Sequence, residues 1–116
     1  MRIFEVRIRT REEANADFIR SWKLAEAGLP GPGDQGVFFE SYEAAYNLFT
    51  TKRLEMLRLI REHKPTSINQ LAKIAGRDFK NIYTDVMHFK NLDIIKIPRG
   101  KPIEVLYDAF NLHATV

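Results

Sequence analysis

SINQLAKIAGRDFKNIYTDVMHFKNL, residues 67–92, is the stretch from which the rest of this chain is read. Ile68, Leu71, Ala72 and Ala75 recur at i, i+3, i+4 and i+7, one buried stripe of a first short helix. Ser67 is placed to cap its start, and Gly76 supplies the left-handed residue that ends it. Asp78 can cap a second helix, in which Phe79, Ile82, Val86 and Phe89 form the apolar stripe. At about 100° per residue the opposite side carries Lys80, Asn81, Thr84, His88 and Asn91, with Asp85 on the flank. Two short helices joined by a tight Gly76-Arg77-Asp78 turn have the layout of a helix-turn-helix. A donor-rich, carboxylate-poor face on the second helix is what reading a major groove requires. Any surface helix has a polar face, so the residues that follow must separate the two readings.

Ile94 to Ile97 read as a strand, Pro98-Arg99-Gly100-Lys101 as a turn, and Pro102 to Tyr107 as a second strand. A hairpin with two basic residues at its tip, directly after such a helix, is the wing of a winged helix. Its charges fall where a wing meets backbone phosphate or the minor groove. Beyond it Phe110, Leu112, Ala114 and Val116 alternate, suggesting a last strand that pairs with the N-terminal one.

That N-terminal strand spans residues 3–9, with Phe4, Val6 and Ile8 on one face and Glu5, Arg7 and Arg9 on the other. Thr10 and Glu13 make a capping-box pattern for a helix running to about Gly28. Ala14, Phe18, Trp22 and Ala25 line one side of it, and Phe18 and Trp22 read as core packing rather than a stacking platform for bases. Residues 28–36 are a glycine- and proline-rich connector without the Gly-Lys-Ser/Thr ending of a phosphate-binding loop. Val37 to Glu40 read as a short strand. The resulting strand–helix–strand unit has too little core to stand alone and must pack on the rest of the protein or on a second copy. Residues 42–63 read as helix, with Thr50 available as a cap for an interruption and Lys64-Pro65 as its end. Apolar groups on several sides of this segment, Tyr46, Phe49, Leu54, Met56, Leu57, Leu59 and Ile60, require cover on more than one side.

Bulk properties narrow the classes. At 116 residues the chain is one domain with a small extension. Residues 1–49 hold 6 Lys/Arg against 8 Asp/Glu, whereas residues 50–116 hold 12 against 7, so positive charge collects around the helix pair. No long apolar run spans a membrane, the N-terminus lacks the apolar core of a signal peptide, and there is no cysteine. These features point to a cytoplasmic protein with no membrane association. His63, His88 and His113 are far apart in sequence and have no cysteine to help bind zinc. Ser21, Ser41 and Ser67 sit in no nucleophile motif, and the Asp85/His88 pair lacks a nucleophile, so an enzyme, a metal and a cofactor are not expected.

Residues 48–108 carry Leu48-Phe49-Thr50 with Lys52-Arg53, Ser67-Ile68 with Leu71-Ala72, Gly76-Arg77-Asp78 with Lys80-Asn81, Asp85-Val86 and Tyr107-Asp108. This run resembles the MarR-like winged helix-turn-helix regulators, and within them a group of small archaeal and bacterial DNA-binding proteins. The Gly-Arg-Asp-x-Lys-Asn segment is the most specific part of the likeness. The resemblance implies a winged-helix DNA-binding fold, usually dimeric, acting on transcription. The chain departs from the pattern at Asp93, where such proteins usually turn with glycine, and at Phe89, where leucine is usual.

The expectation is therefore an α+β chain. Residues 1–41 form a strand–helix–strand extension for packing or dimerisation, and residues 42–116 a winged helix-turn-helix domain with a C-terminal strand. Lys80, Asn81 and Thr84 face base edges of double-stranded DNA, and Asn81 can make the bidentate adenine contact. Ser67, Lys73, Arg77, Arg99 and Lys101 bind phosphates. Tyr83, at the edge of the buried stripe, reads as packing, and His88 reaches backbone or only solvent. A homodimer is expected, because two reading helices supply affinity that one small module rarely reaches. The alternative is a winged-helix protein–protein module, an antitoxin or a complex subunit, whose acidic N-terminal unit holds a protein partner.

Overall fold

Three side-chain caps start the helices where the sequence places them. The computed structural model describes residues 1–29 and 36–114. Thr10 Oγ1 accepts from Glu13 N–H at 3.2 Å, Thr50 Oγ1 from Arg53 N–H at 3.2 Å and Ser67 Oγ from Gln70 N–H at 3.0 Å. Each satisfies one of the backbone donors that a helix start leaves unpaired. The element order is β1 (Ile3–Ile8), α1 (Arg11–Glu26), β2 (Gly36–Phe39), α2 (Tyr42–Leu48), α3 (Thr51–His63), α4 (Ile68–Ala75), α5 (Phe79–Asn91), β3 (Ile95–Lys96), β4 (Glu104–Val105) and β5 (Ala109–Ala114). The chain is α+β. Thr50 divides the 42–63 segment into α2 and α3, and Lys64 closes α3 in a left-handed conformation with φ 49°.

The chain divides into two compact units. One comprises Met1–Arg2 and Phe49–Asp108, and contains α3, α4, α5 and the β3–β4 hairpin. Its core is built from Met56, Leu57 and Ile60 of α3, Leu71 and Ala72 of α4, and Ile82, Val86 and Phe89 of α5. Ile94, Ile95, Ile103 and Tyr107 complete it. Strands β3 and β4 are antiparallel and short, pairing Ile95 with Val105 and Lys96 with Glu104. Leu106 N–H donates to Ile94 O at 2.8 Å, and Ile103 N–H donates to Pro65 O at 2.8 Å, which ties the hairpin to the loop between α3 and α4. The chain start is held to this unit by reciprocal bonds: Arg2 N–H to Asp108 Oδ2 and Asp108 N–H to Arg2 O, both 2.8 Å.

The second unit comprises Ile3–Leu48 and Ala109–Val116. Its sheet has β1 in the middle, parallel to β2 on one side and to β5 on the other, so Val6 lies between Val37 and Leu112. The last strand does pair with the first. This pairing draws residues 109–114 into the sheet unit, and α2 packs there as well, so the division differs from the expected 1–41 and 42–116. Positions 30–35 of the expected 28–36 connector and the expected strand position of Val116 lie outside the described residues. Phe4, Val6 and Ala45 are buried, and Phe4 meets Phe110 edge to face at 5.8 Å.

Helix α1 departs from its expected role. None of its residues is buried, and Phe18 and Trp22, placed in the core by periodicity, are 68% and 60% exposed. The reason lies in β1, whose Arg7 and Arg9 line a cleft with Phe18, Arg20 and Phe38. A charged strand face gives an apolar stripe nothing to bury against. An Arg9 Nη1–Asp17 Oδ2 ion pair at 2.6 Å anchors the helix instead. Among the described residues no helix is long and apolar enough to cross a membrane.

Candidate functional site

Helix α5 owes its orientation to four inward positions, Ile82, Asp85, Val86 and Phe89, all buried. Asp85 is only 7% exposed and is the one carboxylate within the helix. Arg53 of α3 donates from Nε to Asp85 Oδ1 at 3.0 Å, and Arg77 of the turn donates from Nη2 to Oδ2 at 2.7 Å. A buried carboxylate persists only when paired and hydrogen-bonded, and two guanidiniums meet that need. The spacing held a signal for this, since Asp85 lies three residues after Ile82 and four before Phe89. Arg53, thirty-two residues away, left none.

One of the expected phosphate contacts takes part in this arrangement. Arg77 is half-buried and committed to Asp85, and its Nη1 is buried without a hydrogen-bond partner among the described residues. The pair ties the turn to α5, with 24% of the Arg77 side chain still exposed. Asp78 occupies the cap position of α5 but makes no side-chain cap hydrogen bond.

With Asp85 turned inward, the outward face of α5 carries Lys80, Asn81, Thr84, His88 and Asn91, all exposed. Thr84 Oγ1 donates its proton to Lys80 O at 2.9 Å, which leaves the oxygen's lone pairs as acceptors. Lys80 and Asn81 supply donors, and asparagine an acceptor as well. Ser67 and Lys73 are exposed on α4 and its cap, and Arg99 and Lys101 are exposed at the tip of the hairpin. There Gly100 takes φ 71°, and Lys101 N–H reaches Pro98 O at 3.4 Å. All of these residues belong to the unit of residues 1–2 and 49–108, which holds 13 Lys/Arg against 7 Asp/Glu.

Two aromatic residues were misplaced by periodicity. Phe79, expected in the stripe, is 48% exposed, and Tyr83, read as packing, is 46% exposed. Phe79 opens the helix, and a helical side chain leans toward the N-terminus, so it overhangs the start of α5 rather than entering the core.

Among the described residues no group of His and acidic side chains is arranged to hold a metal. His113 Nε2 is bonded to Glu5 across the sheet. The exposed surface on α5 and the hairpin tip carries the side chains of Lys80, Asn81, Thr84, Arg99 and Lys101, with the one carboxylate of α5 turned inward.

No curated protein and no solved structure matches the chain. Residues 48–112 match the HVO_A0114 family, a segment that begins just before α3 and ends within β5. The match takes in more than half of the 116 residues and every element of the α3–α5 unit, so the chain belongs to the HVO_A0114 family.

Proposed function

We propose that this chain is a winged helix-turn-helix protein that binds duplex DNA as a homodimer and regulates transcription. The observation that carries the reading is the inward burial of Asp85 against Arg53 and Arg77, which clears the exposed face of α5 of negative charge. In this reading α4 and α5 are the helix pair and β3–β4 is the wing. Lys80 and Asn81 contact base edges from the N-terminal half of α5, with Thr84 behind them as an acceptor. Ser67, Lys73, Arg99 and Lys101 contact phosphates and fix the register. Arg77 is a positioning residue. The same reading follows from the resemblance to MarR-like regulators expected from residues 48–108. Among the described residues, nine of the twelve exposed large apolar side chains lie on the sheet unit, which suits cover by a second copy.

Alanine at both Lys80 and Arg99 is expected to weaken binding to duplex at low salt. The slope of log affinity against log salt should fall by about one for each lost phosphate contact. Parental binding by the double variant would remove this surface from the reading. The exposed sheet-unit face also favours a second role, as a protein–protein module of the antitoxin or complex-subunit kind. Failure of micromolar protein to shift random duplex, together with capture of a stoichiometric protein partner, would select that role.

A further inference from the structure

The rings of Phe79 and Tyr83 lie at i and i+4 on α5, with centroids 6.0 Å apart and planes tilted by 30°. About half of each is open to solvent. They form a short apolar strip that runs alongside the Lys80–Thr84 strip on the same two helical turns. Neither ring enters the core, which Ile82, Val86 and Phe89 fill from this helix. An exposed pair of large apolar groups beside a polar reading face is an unusual surface and points to a partner with an apolar feature of matching size.

The partner charge is constrained by the surroundings. Lys80 directly follows Phe79, and the unit as a whole is basic. A polyanion that also offers a small apolar group fits both. On the floor of the DNA major groove the one such group is the C5 methyl of thymine, and phenylalanine is among the side chains suited to it.

We infer that Phe79, backed by Tyr83, reads a thymine methyl. This rests on α5 being the DNA-reading helix. Tyr83 is a positioning residue that limits the rotation of the Phe79 ring, while Lys80 and Asn81 read the polar edges beside it.

Exchange of thymine for uracil tests the assignment, because it removes the methyl and leaves every base-pairing group in place. Duplexes selected from a random pool by the full chain would be remade with uracil at one thymine position at a time. At one or two positions the parent protein should bind about fourfold more weakly, the loss expected for one buried methyl. Phe79→Ala should bind the thymine duplex more weakly and show no further loss with uracil. Phe79→Leu, which keeps an apolar group, should retain part of the discrimination. Thermal unfolding of each variant near the parental midpoint would establish that the fold is intact.

A parent protein that binds the selected duplexes but shows no uracil dependence at any position would overturn the assignment. So would uracil dependence unchanged in Phe79→Ala, or a Phe79→Ala whose only defect is a changed sedimentation coefficient, which would make the strip a contact between subunits. A chain that neither selects nor shifts any duplex would remove the DNA reading itself, and the methyl contact with it.

Discussion

Replacing Asp85 with alanine would leave the guanidiniums of Arg53 and Arg77 in a half-buried site without their counter-charge. Breaking a buried pair from one side strands the other charge, and the expected loss is about 3 kcal/mol, read as a lower denaturant midpoint. Arg77→Ala should also destabilise and, in the proposed DNA-binding reading, leave the salt slope unchanged, because this guanidinium is committed to Asp85. Sequence showed Arg77 as a basic turn residue and nothing of its partner. A buried charge is defined by what surrounds it in three dimensions, and period alone records only distance along one helix. Asp108 is a different case. The Arg2 backbone N–H and then the Arg61 guanidinium, 2.5 Å from Oδ1, hold its carboxyl below the ordinary value near 3.8. Stability from this group is therefore present above the unfolded value and lost as pH falls through the lower folded one. Urea midpoints of the parent and Asp108→Asn should differ at neutral pH and converge as pH falls below about 4, since protonation then removes the advantage of the charged carboxylate.

At the scale of elements, α4 and α5 end in the same way with different residues. After α4, Gly76 takes φ 64° and Arg77 N–H donates to Ala72 O at 3.1 Å. After α5, Asp93 takes φ 58° and Ile94 N–H donates to Phe89 O at 2.9 Å. Both are left-handed helix ends, but only one has the residue free of the Cβ clash. Asp93, one of the two departures from the resemblance read in the sequence, stands where this backbone calls for glycine. Asp93→Gly should raise stability by about 0.5–1 kcal/mol, the relief of strain being partly offset by a more flexible unfolded chain. Thermal unfolding would report this as a rise of roughly 2–5 °C. An unchanged or lower midpoint would mean that the Asp93 carboxylate does work the backbone geometry does not reveal. The end of α4 at Gly76, the caps at Thr10, Thr50 and Ser67 and the place of the hairpin turn were legible in sequence because each depends on a few neighbouring residues. The exposure of Phe79 was not, since a first-turn residue can satisfy the period and still overhang the packed face.

At the scale of the whole molecule the two units differ in how much apolar surface they bury. Among the described residues, twelve of the fifteen buried hydrophobic ones belong to the unit of residues 1–2 and 49–108, and Phe4, Val6 and Ala45 to the sheet unit. The sequence foretold a deficient core at the N-terminal end, and the pairing of β1 with β5, but not that α1 would stand with its aromatic stripe open. Periodicity assigns a stripe without saying whether the opposing strand face is apolar, and here Arg7 and Arg9 make it charged. A parallel sheet normally has both faces covered, so a small exposed one is expected to open locally unless a second copy covers it. If the homodimer forms through this unit, amide exchange in β1 and β5 should slow markedly as protein concentration rises from submicromolar to tens of micromolar. Exchange in α3, α4 and α5 should not respond, because their core is complete within the chain. Sedimentation over the same range should show the mass doubling where β1 becomes protected. Concentration-independent exchange in both units, with a monomer throughout, would remove the homodimer. In the proposed reading, a second recognition helix on the duplex would then have to come from DNA-induced pairing or from a different protein.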